Sequence, residues 1–191
     1  PASPHAWPSM YLMHTLSVAI ILLLTLGEPV SAQAPLSLED KVGQLLMISI
    51  DAAEVAKATT AVAHGLGGIQ LQWGSYSLED TRRLTEELQR GALKNSSGIP
   101  LFIATDYEGG SVYVPTTLGL AELPTNMMLG AADDENNTAS LFYLAGRELK
   151  AAGINMVFGP VLDVNTNPRN PIIGVRAISG TPELVSKIGA A

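Results

Sequence analysis

SLEDTRRLTEELQRGALKNSSGIPLFIATDYEGG, Ser77 to Gly110, decides how this chain folds. Its first half has the marks of a helix. Ser77 can accept a hydrogen bond from the amide three residues on, Asp80 is placed to answer it, and Leu78, Leu84, Leu88 and Leu93 make an apolar stripe. Its second half, Ile99–Thr105, is short, apolar and β-branched, with Pro100 at its start, where no ladder donor is lost. A helix followed directly by a buried strand is one half of a βα repeat. The strand then stops on two acids, Asp106 and Glu108, and two glycines, Gly109 and Gly110.

The same alternation runs outward in both directions. Towards the amino terminus, SLEDKVGQLL is a helix start capped by Ser37, LMISI (46–50) a strand, AAEVAKATTAVAHG a helix stopping at Gly65, and GGIQLQ (67–72) a strand. Towards the carboxyl terminus, TASLFYLAGRELKAAG (138–153) is a helix, INMVFGPVLDV (154–164) a fourth strand, and PELVSKIGAA a final helix. Strands alternating with helices predict an α/β fold with a parallel sheet. In such sheets ligands bind at the carboxyl ends of the strands. Asp106, Glu108 and Asp163 are expected there, followed by long loops, which in compact domains are functional or disordered.

The first 34 residues differ from the rest. Their only charged side chain is Glu28, and Leu16–Leu26 is an uncharged apolar run. Such a run is short for a bilayer and right for the core of a signal peptide. Small residues follow, with cleavage expected after Ala32 or Ala34. Two segments are therefore expected: a leader over 1–34 and a folded domain over 35–191. The product would be secreted or periplasmic, with no stable membrane span once the leader is removed.

Composition narrows the function. Hydrophobic residues make up 47% of the 191 and charged residues 15%, a globular balance. A net charge of −7 does not provide the basic face that nucleic-acid binding requires, and no nucleic-acid partner is expected. There are no cysteines, and the three histidines, His5, His14 and His64, are scattered, so no metal site is expected.

Asp106 and Glu108, two apart, point the same way in extended chain. Three readings fit them. They can cap a turn while Gly109 and Gly110 supply backbone freedom. They can ligate a hard cation, although no third acid is near in sequence. They can grip sugar hydroxyls, because a carboxylate accepts two at once and glycines let a ring approach the backbone. VLDVNTNPRNPIIGVR is the second dense stretch, stiffened by Pro168 and Pro171. It reads as surface Asx-turns or as a loop of hydrogen-bonding groups. Arg176 would pair with an acid or fork onto a substrate oxygen.

Taken in order, LSLEDKVGQLLMI, PLFIATDYEGG, LGAADD, GRELKAAGINMVFGPVLDVNTNPRNPIIGVR and PELVSKIGAA resemble the N-terminal domain of glycoside hydrolase family 3. PVLDVNTNPRNPIIG is closer to the β-N-acetylhexosaminidase branch than to the β-glucosidase branch. The resemblance implies the N-terminal part of a (β/α)8 TIM barrel, with about four βα units present. It also implies a retaining exo-glycosidase that removes terminal β-linked N-acetylglucosamine through a glycosyl-enzyme intermediate formed on an aspartate. No cofactor is implied, and the partner is a carbohydrate, an N-acetylglucosaminide. By position in the motif, Asp106 and Arg176 bind the sugar, while Glu108, Gly109, Gly110 and Asp163 shape the site.

The sequence also departs from the family pattern. Ser111 and Val114 stand where arginines are usual, Val175 where an acid or Asn is common, and Ala177 and Ile178 where R-S-F runs. A β-glucosidase or β-xylosidase of the same family, or a non-catalytic sugar-binding relic, are the alternative readings. The family's histidine acid/base loop and nucleophilic aspartate come later than these motifs, and no histidine here lies beyond His64. No catalytic residue is therefore expected in this stretch. The 191 residues read as the N-terminal fragment of a longer enzyme, inactive by itself, since a barrel takes roughly 250 residues.

Overall fold

The computed structural model describes residues 35–51, 54–72, 77–110 and 119–191. The expected leader, Ser111 and Val114 lie outside the described residues. Leu36–Ala191 forms one compact unit.

Four parallel strands lie in consecutive order: β1 (Met47–Ile50), β2 (Gly68–Leu71), β3 (Phe102–Asp106) and β4 (Met156–Phe158). Helices alternate with them: α1 (Leu38–Gln44), α2 (Val55–Ala63), α3 (Leu78–Lys94), α4 (Asn126–Ala132), α5 (Glu135–Ala151) and α6 (Pro182–Gly189). Parallel neighbours joined by helical crossovers, in order 1-2-3-4, are the first four units of a (β/α)8 arrangement, as the sequence predicts.

Strand alternation separates two faces. Ile50, Ile69, Leu71 and Ile103 are buried with Val62, Leu84, Leu88 and Leu149 of the helices. The opposite face carries Ser49, Gln70, Ala104 and Asp106, and at β4 the exposed Met156 and Phe158. In a barrel this second face is the lumen.

Three expectations change in detail. The buried face of α3 is Thr81, Leu84, Thr85, Leu88 and Ala92. Leu93 is one residue past Ala92, about 100° round the helix, and is exposed, as Leu78 is in the first turn. β4 ends at Phe158, opposite the last residue of β3, instead of running to Val164. There Gly159 passes so close to Tyr107 that a Cβ would lie 2.7 Å from its carbonyl oxygen, and Pro160 brings no amide hydrogen to continue the ladder. The loop after β3 contains α4, a short helix that has no long apolar period and is held by tertiary contacts.

Gly130 shows how closely α4 is held. A Cβ there would lie 2.1 Å from the carbonyl oxygen of Ile178, in backbone that cannot swing aside as a side chain can. Leu129, Ile178, Val185 and Ile188 form a second small core at this contact. Gly130→Ala is expected to lower stability by about 2 kcal/mol through overpacking. Urea unfolding of the chain checks this, and an unchanged midpoint would show that α4 moves freely.

Candidate functional site

The carboxyl ends of β2 and β3 and the turn before α6 supply the site. Asp106 ends β3 on the lumen face. Tyr107 points the other way, is 1% exposed, and donates its hydroxyl to the Ala121 carbonyl. Burial, with the negative charge of Glu148 second, pushes the phenol up to about 12 and keeps it a donor. Its ring anchors the Asp-Tyr-Glu turn in the core and leaves the two acids on the other side.

Glu108 is buried, and Arg176 grips it with both arms of the guanidinium. Nε donates to Oε2 at 2.6 Å and Nη2 to Oε1 at 2.8 Å. A third donor, Nη1, reaches the Ile172 carbonyl at 3.1 Å. Arg176 closes a single 3₁₀ turn, Gly174–Arg176. Its own carbonyl accepts from Asn126 Nδ2 at 2.7 Å. Asn126, the first residue of α4, is 1% exposed, and its Oδ1 has no hydrogen-bond partner among the described residues.

The glycines have distinct geometric reasons. Gly109 (φ 93) runs under the backbone of Pro124, where a Cβ would lie 2.6 Å from the carbonyl oxygen. Gly110 (φ 70) lies against Thr125 and donates its amide to the Leu123 carbonyl at 2.8 Å. Both φ values are in the left-handed region that glycine tolerates. The chain therefore doubles back onto 123–125 immediately after the acids.

Asp106 is the half-buried carboxylate beside this clamp. It accepts Gln70 Nε2 at Oδ2, 3.0 Å away. Its carboxyl is held above the usual carboxylate value by burial first and then by the charge of Glu108. The Gln70 hydrogen bond and the Arg176 charge oppose that rise. Chemically the arrangement is an ion pair satisfied within the protein next to one acceptor with an oxygen to spare. Neutral polar ligands rich in hydroxyls suit such a group.

The sequence of this region matches the glycosyl hydrolase family 3 N-terminal domain over residues 37–191. The chain belongs to glycosyl hydrolase family 3. It is 31% identical over 192 aligned positions to beta-hexosaminidase A of Pseudoalteromonas piscicida, covering 88% of this chain and 32% of that one. Among solved structures it is similar to a family 3 β-N-acetylglucosaminidase from Paenibacillus sp. str. FPU-7. There the TM-score is 0.75 at 40% identity, over 81% of this chain and 30% of that one. It is also similar to a β-N-acetylhexosaminidase from Beutenbergia cavernae DSM 12333, with a TM-score of 0.71 at 34% identity, over 81% of this chain and 48% of that one. The chain thus spans about a third of the Pseudoalteromonas and Paenibacillus proteins.

Within this family 3 domain, Asp106, Glu108, Gly109, Gly110 and Arg176 come together at one end of the sheet. Of the two sequence readings of Arg176, the acid pair is present, with Glu108 as the acid. Asp163 is not drawn in. Because β4 stops at Phe158, Asp163 lies in the following loop, exposed, and no hydrogen bond or ion pair joins it to the cluster among the described residues. Val175 is exposed, while Ala177 and Ile178 are buried beneath α4.

Sequence reasoning missed Ser49, Gln70 and Asn126. The first two carry a signal in hindsight, as polar residues inside otherwise apolar strands. Asn126 carries none. Among the described residues, no group of three or more His, Asp or Glu could hold a metal ion, and no helix is long and apolar enough to cross a membrane.

Proposed function

We propose that these residues are the sugar-gripping amino-terminal part of a retaining exo-glycosidase that hydrolyses terminal β-linked N-acetylglucosamine. The observation that carries this reading is the division of labour between the two acids. Arg176 takes both oxygens of Glu108, which leaves Asp106 as the acceptor for sugar hydroxyls on the lumen face. Glu108 has both oxygens occupied in that pair. Arg176 shapes the wall beside the sugar and its charge favours the ionised Asp106. The hexosaminidase relatives support the choice of N-acetylglucosamine over glucose. The apolar leader over 1–34 supports export to the periplasm or medium.

In this reading the 191 residues alone do not catalyse. His64 follows α2 and precedes β2, so it lies at the amino end of the sheet, opposite Asp106. No other described residue is a histidine.

A graft tests the reading. The purified chain is expected to give no turnover of an aryl N-acetylglucosaminide. Residues 36–191, placed in the matched region of the Paenibacillus enzyme, are expected to give a chimera that cleaves the N-acetylglucosaminide in preference to the glucoside. Reversed preference would favour the β-glucosidase alternative. A folded chimera that binds N-acetylglucosamine and cleaves neither would favour the relic, to which Ser111, Val114 and Val175 point.

A further inference from the structure

The Asp106 carboxylate is reached by a polar chain that begins two strands away. Ser49 on β1 donates its hydroxyl to Gln70 Oε1 on β2, and Gln70 donates Nε2 to Asp106 Oδ2 on β3 at 3.0 Å. Ser49 and Gln70 are direct register partners. The partner of Gln70 on β3 is Ala104, so Asp106 stands one step further on the same face. The relay climbs diagonally across three strands towards their carboxyl ends. Packing does not explain either polar residue. Ser49 is exposed, and Gln70 is the half-buried member of a strand whose other three residues are buried.

The relay has a direction. A hydroxyl hydrogen pointed at Gln70 Oε1 turns the amide nitrogen towards Asp106, and an amide N–H donor there matches an ionised carboxylate. A proton on Asp106 Oδ2 would face that donor. To accommodate it, the Gln70 amide must turn over and Ser49 must change from donor to acceptor. A proton on Oδ1 would leave the Gln70 hydrogen bond in place but weaken it, because an ionised oxygen is the stronger acceptor, so the serine hydroxyl bars a proton from Oδ2 and favours the ionised group.

We infer that Ser49 and Gln70 are positioning residues, which hold the Asp106 carboxylate ionised with Oδ2 occupied and Oδ1 left as the acceptor for a sugar hydroxyl. The inference deepens the sugar-gripping reading of Asp106 and rests on it. The charged groups that face Asp106 are Glu108, from its own strand exit, and Arg176, from the 3₁₀ turn. β2 presents the neutral Gln70, and β4 presents Phe158 as the register partner. The relay is therefore the part of the surroundings that can be removed without altering any charge.

Carboxyl-carbon NMR of the 191-residue protein with labelled aspartate reads the relay directly, and Asp106→Asn assigns the signal by its loss. Gln70→Leu is expected to raise the pH at which Asp106 titrates. Ser49→Ala should raise it less, and Ser49→Thr should restore it by returning a hydroxyl. An unchanged titration in folded Gln70→Leu overturns the inference, as does a Ser49→Thr variant that behaves like Ser49→Ala. Should Gln70→Leu fail to fold, the Ser49 pair, at an exposed position, decides. Added N-acetylglucosamine is expected to move the wild-type Asp106 signal, and to do so at higher sugar concentration in Gln70→Leu. A titration shift without any response to the sugar keeps the relay as a device that holds the carboxylate and overturns the sugar reading instead.

Discussion

Arg176→Ala is expected to destabilise the folded chain by about 3 kcal/mol, the low end of what removing one partner from a buried ion pair costs. The low end applies because a fifth of the Arg176 side chain remains exposed, whereas Glu108 keeps only 9% of its side-chain surface. The substitution strands a buried carboxylate whose two oxygens both accept from Arg176. It also removes the contact from Nη1 to the Ile172 carbonyl, which ties the guanidinium to the loop ahead of its own turn. Glu108→Ala should cost less, since the arginine it leaves behind keeps that carbonyl and can reach water. The double variant is expected to cost less than the sum of the singles, because each single loss includes the penalty of the abandoned partner. Urea unfolding of the four chains closes the cycle. Additive losses would show that the fork seen between Nε, Nη2 and the carboxylate contributes nothing as a pair.

In the active chimera, Asp106→Asn is expected to lower kcat/KM by roughly a hundredfold, equivalent to about 2.7 kcal/mol of transition-state stabilisation. Asparagine keeps the shape and one acceptor oxygen but loses the charge that strengthens hydrogen bonds to sugar hydroxyls. It would also offer an amide nitrogen that competes with the donor of Gln70. The fold should be unaffected, since Asp106 is half-buried and its side chain accepts a hydrogen bond from Gln70, which the asparagine oxygen can also accept. A kcat/KM equal to that of the parent chimera would remove Asp106 from the sugar site. The other acid would not replace it, because both Glu108 oxygens are already engaged.

The two acids illustrate what could be read before the structure and what could not. Their period-two spacing places both on one side of an extended chain, and that is how they are found, with Tyr107 between them directed into the core. Spacing alone does not say which of the two is occupied. That depends on Arg176, 68 residues away in sequence, and on where α4 places Asn126 to hold its backbone. Asp163 lies in the loop beyond β4, and not on the strand, for a related reason. An apolar run predicts a strand, but the ladder ends where its neighbour ends, and β3 ends opposite Phe158.

Local physics carries the alternation of helices and strands. Ser37 and Ser77 cap their helices as their side chains dictate, and both accept the amide three residues on. Apolar β-branched runs make the strands, and crossover helices of this length make them parallel. These features are encoded in stretches of ten to twenty residues and survive without knowledge of the rest, as do the family motifs. Tertiary structure decided the remainder: the fork of Arg176 onto Glu108, the relay from Ser49 through Gln70, the passage of α4 over Ile178, and the early end of β4. Each joins residues distant in sequence through a hydrogen bond or a steric contact. Such contacts depend on register and close packing, which no local period contains.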